Sequence, residues 1–467
     1  MSAEDLTGLP VADLAALLAS GDLDPRDLTE SYLARAAATE PDLNAYVTVT
    51  ADRARAQAEA ARRRRRAGGD VSPLCGIPLG IKDLYDVRGV PTTAGSPLLL
   101  ERVADGDSTV AARLLAVGAV LLGKQSTHEF AWGGTTDNPH FGPTRNPHDR
   151  TRIPGGSSGG SAASVVVGSS AGAFGTDTCG SVRIPAALSG CVGLKPTYGR
   201  ISLHRVVPLA PALDHAGPLT RTVRDAALLA EAVAGFDPAD ARTLPLAVPD
   251  LTEGLEHDVR RLRVGRLRGW FEAVLDPEVR AAVDAAAGAL RDAGCVVTDV
   301  SPARTDAPVD AVFAAVAADA VPWHWATFGR RAEGYSPALA ALLAAGPPTF
   351  DVAAAARETV GVEVAALVAA LREVDVLLCA TVPMPAPPIG TERMTVDGHD
   401  LPLEWLLTRL TSVFDAARLP ALSVPFATSA DGLPIGVQIV GRHLEEATVL
   451  RAGRALERAR GTEVSAC

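Results

Sequence analysis

The stretch from Gly155 to Pro196 most constrains what this chain can fold into. It opens Gly155-Gly156-Ser157-Ser158-Gly159-Gly160-Ser161 and runs through Gly175-Thr176-Asp177-Thr178-Cys179-Gly180-Ser181-Val182-Arg183-Ile184-Pro185. It closes Gly193-Leu194-Lys195-Pro196. Glycine and serine dominate, yet the apolar runs Ala162 to Val167 and Ala171 to Phe174 interrupt them. A flexible linker has no use for such runs. The pattern predicts two Gly/Ser turns separated by a buried helix and a short strand. Such turns can aim several backbone N–H groups at one point, as an anion site or an oxyanion hole requires.

The rest of the chain can build a frame around that stretch. With 467 residues, 47% of them hydrophobic, it can bury a large core. Helical patterns cover 11–20 and 25–39, the second capped by Asp24 with Pro25 behind it. Residues 44–50 alternate like a strand, and 51–67 read as a charged helix. Further helices are expected at 108–117, 223–234, 277–293, 401–417 and 444–458, and through most of 308–373. Strands are expected at 119–122, 262–268, 295–300, 375–380, 421–425 and 435–440. This alternation predicts an α/β sheet. No internal repeat and no clear second domain emerge.

Charge and cysteine content narrow the function classes. A net charge of -11 argues against non-specific nucleic-acid binding, which needs a positive field. The run Arg62 to Arg66 is the exception, and reads as the solvated end of a helix that complements its dipole. The cysteines (Cys75, Cys179, Cys191, Cys295, Cys379 and Cys467) lie far apart, so reduced thiols and a cytoplasmic location are expected. Residues 1–13 lack the apolar segment of a signal peptide, and no apolar run is long enough to span a bilayer.

One lysine stands out. Gly76-Ile77-Pro78-Leu79-Gly80-Ile81-Lys82-Asp83-Leu84 reads as a short apolar strand with a lysine near its end. Burying a lone ammonium is costly. Lys82 is therefore either an exposed strand-end residue paired with Asp83 or Asp86, or a buried base with a depressed pKa.

Several chemistries fail on the letters. Gly155 to Ser161 has no lysine of a phosphate loop, and the spacing does not fit a dinucleotide fingerprint. The histidines are scattered without a metal-ligand spacing, so no metal and no cofactor are expected. Gly155-Gly156-Ser157-Ser158-Gly159 matches a nucleophile elbow in letters, but polar, proline-flanked residues precede it instead of a buried strand. What remains is a serine nucleophile served by a lysine base through a second serine.

Taken together, Gly80-Ile81-Lys82-Asp83, the two Gly/Ser turns, Gly142-Pro143-Thr144-Arg145-Asn146-Pro147, Gly193 to Arg200 and Leu433-Pro434-Ile435-Gly436-Val437-Gln438 resemble the amidase signature family of serine hydrolases. The similarity covers roughly 75–225 and returns at about 375–460. It implies a three-layer α/β/α fold in which helices cover both faces of a mixed, twisted central sheet. It implies a single domain over 1–467, with an N-terminal helical cover (1–70), a catalytic core (75–225) and a helical insertion on the substrate side (300–373). Ser181 matches the family nucleophile, Ser157 the bridging serine after a cis peptide bond, and Lys82 the terminal base. The backbone N–H groups of Thr178, Cys179, Gly180 and Ser181 match the oxyanion hole. Ser158, Asp177 and Arg183 match supporting positions. Cys179 departs from the family, which usually has glycine there; it reads as a small buried residue tuning the turn, with a competing nucleophile as the weaker alternative.

The resemblance implies an amide hydrolase that works through an acyl-enzyme on a small-molecule amide, with no nucleic acid and no membrane as partner. A homodimer is left open. Phe130 and Trp132 fall where the family lines its acyl pocket, and Trp323 and Trp325 add apolar area. Aryl or medium apolar acyl amides are therefore expected, with esters or carbamates as further substrates. The alternative is the glutaminase subunit of a tRNA-dependent amidotransferase. A non-catalytic binding protein on the same fold is the third class, disfavoured because Lys82, Ser157 and Ser181 are all present.

Overall fold

In the computed structural model, the described residues are 3–302, 309–331 and 333–461. Eleven strands form one mixed sheet. Their order is Tyr46–Val49, Val120–Gln125, Pro78–Lys82, Gly172–Asp177, His215–Thr220, Val192–Lys195, Ala421–Thr428, Pro434–Gly441, Val376–Ala380, Arg263–Leu267 and Val296–Val300. Pro78–Lys82 runs parallel to both of its neighbours, Val120–Gln125 and Gly172–Asp177. His215–Thr220 pairs antiparallel with the strands on either side of it. Every residue of Pro78–Lys82, Gly172–Asp177 and Val376–Ala380 is buried. Strands buried on both faces need covering layers above and below, and the helices provide them.

The central stretch folds as its composition requires. Helix Gly159–Val167 and strand Gly172–Asp177 separate the two Gly/Ser turns, and both are almost wholly buried. The short helix Arg183–Ser189 follows the second turn and leads into Val192–Lys195. Arg263–Leu267, helix Pro277–Asp292 and Val296–Val300 form the expected crossover, with the two strands parallel.

The N-terminal helices are Val11–Ser20, Pro25–Leu43 and Ala51–Ala67. Asp24 caps the second through the N–H of Arg26, and Asn44 ends it in the left-handed region at φ 54°. The arginine run is more than a solvated end: Arg62 pairs with Asp24 at 3.1 Å, Arg64 donates to the Ala116 carbonyl at 2.8 Å and Arg65 to the Cys75 carbonyl at 2.7 Å. Cys75, Cys179, Cys191, Cys295 and Cys379 are buried free thiols; Cys467 lies outside the described residues. Among the described residues no single helix is long and apolar enough to cross a membrane.

The expectation of one helix over 401–417 is corrected. Residues 399–402 pair with 393–396 in a hairpin, and two short helices follow, Leu403–Thr408 and Ser412–Ala416. Other hydrogen bonds hold the break between them. Arg409 donates to the carbonyls of Val274 and Trp270, and the Thr411 hydroxyl donates to the Cys179 carbonyl at 2.6 Å. The alanine-rich region forms three helices, Val309–Phe328, Pro337–Ala345 and Phe350–Glu373; positions 303–308 and 332 lie outside the described residues.

Candidate active site

Lys82 ends a central strand, beside the strand that carries Thr176 and Asp177. Its side chain is fully buried. Its Nζ lies 2.7 Å from Ser157 Oγ and 2.8 Å from Thr176 Oγ1. Burial lowers its pKa from 10.5 to about 7, against the opposing pull of the Asp177 and Asp214 carboxylates. The reading of Lys82 as an exposed residue paired with Asp83 does not hold. Asp83 instead pairs with Lys124 at 2.8 Å and accepts from the N–H and hydroxyl of Thr93.

Ser157 follows a cis peptide bond from Gly156. A Cβ on Gly156 would sit 2.8 Å from the backbone of Gly134, Thr135 and Thr136, so only glycine fits that approach. Thr136 Oγ1 donates to the Gly155 carbonyl at 2.9 Å and accepts from the Gly159 N–H at 3.1 Å. Ser158 Oγ donates to the Thr176 carbonyl at 3.2 Å and accepts from the Thr176 N–H at 3.3 Å, which ties the first turn to the strand beside Lys82.

Ser181 sits on the second turn, and the Ser158 N–H donates to its carbonyl at 3.2 Å. It is 7% exposed and opens into a cavity of about 200 Å³. Its hydroxyl makes no hydrogen bond to another described residue, Ser157 included.

Asp177 organises this turn. It accepts from the N–H groups of Gly180 at 2.6 Å, Val182 at 3.1 Å and Arg183 at 3.3 Å. The Arg183 guanidinium adds two bonds to the same carboxylate, each 3.0 Å. This guanidinium holds Asp177 well below the usual carboxylate range although burial opposes it. Arg183 also donates to Asp415 Oδ2 at 2.5 Å, and to Gln438 Oε1 and the Thr411 carbonyl at 3.2 Å. Burial drives Asp415 the other way, well above the usual range.

The expectation for the oxyanion hole is corrected at one position. The Gly180 N–H is spent on Asp177 and is not free to hold an oxyanion. The N–H groups of Thr178, Cys179 and Ser181 have no acceptor among the described residues. Gly180 keeps a different role: its φ is +122°, and a Cβ there would lie 2.2 Å from Thr411 Oγ1. Cys179 lies in the cavity wall, where burial and the nearby Asp415 and Asp177 carboxylates raise its pKa well above 9.0. A thiol so held is not a thiolate nucleophile near neutral pH.

The cavity wall differs from the expected pocket. Trp132 lines it, but Phe130, Trp323 and Trp325 do not. Phe130 and Ala131 have φ of 47° and 61°, and this left-handed turn separates the two neighbouring rings. Phe130 is fully buried and packs edge-on against Trp323, His324 and Phe328. Trp325 lies under the Arg330 guanidinium at 4.1 Å. Phe313 and Val316 of helix Val309–Phe328 and Ala338 of helix Pro337–Ala345 complete the apolar wall with Ile184 and Leu209.

Residues that sequence reasoning does not assign also face this space: His128, Glu404 and Thr408. Burial and the Lys82 charge lower His128 to about 4. Thr176, Thr411, Asp415 and Gln438 likewise escape the sequence. Their roles rest on contacts between segments far apart in the chain, and no local pattern announces those contacts. Among the described residues no group of three or more His, Cys, Asp or Glu could hold a metal ion.

Comparison with known proteins fits this geometry. The Amidase family model matches residues 27–450. The curated relatives include a glutamyl-tRNA(Gln) amidotransferase subunit of Roseiflexus sp. (strain RS-1), which is 41% identical, with 96% of each chain covered. A solved structure of a vestigial protein complex bearing on the evolutionary origins of an s-triazine catabolic enzyme superposes with a TM-score of 0.92 at 36% identity, covering 96% of this chain and 98% of that one. A bacterial aryl acylamidase of the amidase signature family superposes at 0.89 with 30% identity, covering 97% and 96%. The chain thus belongs to the amidase signature family, enzymes that act on amide C–N bonds.

Proposed function

We propose that this protein hydrolyses a small-molecule amide through an acyl-enzyme on Ser181. The observation that carries the reading is the buried Lys82 Nζ, poised near neutrality and 2.7 Å from Ser157 Oγ. Neutral Lys82 takes the Ser157 proton as Ser157 takes the proton of Ser181. The Ser181 oxygen attacks the amide carbonyl, and the N–H groups of Thr178, Cys179 and Ser181 stabilise the oxyanion. The leaving amine then receives a proton from Ser157, which is reprotonated by Lys82. Water attacks the acyl ester by the same route in reverse, releasing the acid and restoring Ser181.

The cavity favours an apolar substrate. Trp132, Ile184, Leu209, Phe313 and Val316 line it, and none of its described lining residues is a lysine or arginine. Of glutamine's two charged groups, the α-ammonium meets Glu404 in this wall, but the α-carboxylate finds no cation among the described lining residues. Burying an unpaired carboxylate is costly. A second reading, the glutaminase component of a tRNA-dependent amidotransferase, is favoured by the 41% identity to a protein named for that complex. A hydrolysis panel of aryl amides, aliphatic amides, esters, carbamates and glutamine separates the two. Turnover of aryl or apolar amides by the chain alone supports the first. Glutaminase activity that appears only with added partner subunits replaces it with the second.

A further inference from the structure

The cavity in front of Ser181 contains a carboxyl group that the proton relay does not use. Glu404 enters it from helix Leu403–Thr408. The Gly134 N–H donates to its Oε2 at 2.7 Å. Its other oxygen, Oε1, receives no hydrogen bond from a described residue. Around it the wall is largely apolar, and the other titratable groups there, His128 and Cys179, are held uncharged. Burial raises the Glu404 carboxyl to about 7. A glutamine would accept from the Gly134 N–H equally well, so that backbone contact does not by itself call for a charged group here. The vacant oxygen, the absence of any lysine or arginine in the described lining and the shared opening with Ser181 describe half of an ion pair whose other half must arrive from outside.

We infer that Glu404 determines specificity in this cavity by selecting amides whose apolar body carries a protonated amine. This rests on the reading of the cavity as an amide-hydrolysing site. The ammonium donates to Oε1 and draws the carboxyl into its charged form, while the apolar body packs on Trp132, Phe313 and Val316. An isosteric substrate bearing a carboxylate meets like charge with no cation to relieve it.

Binding tests this without turnover. Benzylammonium, benzyl alcohol and benzoate share one apolar body and differ in the charge they carry. Each is titrated calorimetrically at pH 8 into the full-length protein and into Glu404→Gln, which keeps an acceptor for the Gly134 N–H; thermal melting checks that both are folded. A charge-assisted hydrogen bond predicts benzylammonium binding roughly ten- to hundredfold tighter than benzyl alcohol, with benzoate weakest. Glu404→Gln should bring the ratio of the first two close to one. Benzylammonium binding no tighter than benzyl alcohol, no detectable benzylammonium binding, or a ratio unchanged in Glu404→Gln overturns the inference. Failure of the amidase reading shows separately, as a wild-type protein that takes no fluorophosphonate on Ser181 whatever its preference among these ligands.

Discussion

Lys82 gives the sharpest quantitative test, because its protonation bears on both rate and stability. Only the neutral amine can accept a proton from Ser157. With a pKa of about 7, kcat/KM on an uncharged anilide should rise about tenfold per pH unit below 7 and level off above it. Glu404 is also held at about 7, so the profile is repeated on Glu404→Gln, where the inflection must persist. Asp214 pulls the Lys82 pKa upward, so Asp214→Asn should move the inflection to lower pH.

Stability gives an independent reading. Each unit of pKa is worth ~1.4 kcal/mol, so lowering Lys82 from 10.5 to about 7 makes its charged form cost the fold roughly 5 kcal/mol. The unfolded chain binds this proton more tightly, so the cost is fully present below pH 7 and fades as pH rises towards 10.5. Lys82→Met removes it. The charge contribution to its stability gain should be roughly 5 kcal/mol at pH 6 and roughly 2 kcal/mol at pH 9, with any loss from the missing hydrogen bonds common to both. Denaturant unfolding at the two pH values measures the difference. A flat rate profile from pH 5.5 to 8.5, together with an equal effect of Lys82→Met at both, would refute the placement of Lys82 as a buried base.

Further predictions concern the nucleophile turn. Asp177→Asn should destabilise the fold by about 3–5 kcal/mol in denaturant unfolding, because it breaks the buried pair with Arg183. Asp415→Asn should cost much less, since burial already disfavours the Asp415 charge; equal losses would contradict the division between the two carboxylates. Gly180→Ala should slow fluorophosphonate labelling by at least about tenfold, since a Cβ there meets Thr411 and only a shift of the turn admits it. Iodoacetamide at pH 8 should leave Cys179 unmodified in peptide maps, and stoichiometric alkylation there would contradict its raised pKa.

What can be read from the sequence follows from how local each signal is. The Gly/Ser turns announce themselves, because glycine at Gly156 and Gly180 answers an immediate backbone demand. Lys82 is legible as an anomaly, a lysine inside an apolar strand. Strand His215–Thr220 is not, since Gly217 and Pro218 break the usual strand signal while its neighbours supply the hydrogen bonds. A single helix over 401–417 fails because the apolar spacing continues through Arg409 and Thr411, whose side chains instead bind distant carbonyls. Proximity to Trp132 in the chain suggests Phe130 for the pocket, and a left-handed turn sends the two rings apart. Glu404 meets Gly134 across 270 residues, and no local pattern encodes such a contact.

Ser181 exposes the proposed chemistry most directly. Wild-type protein treated with a fluorophosphonate should carry one label, which peptide mass spectrometry places on Ser181, and Ser181→Ala should neither label nor hydrolyse a confirmed amide substrate. A label on another residue, or full hydrolysis by Ser181→Ala, would contradict the relay from Lys82 through Ser157.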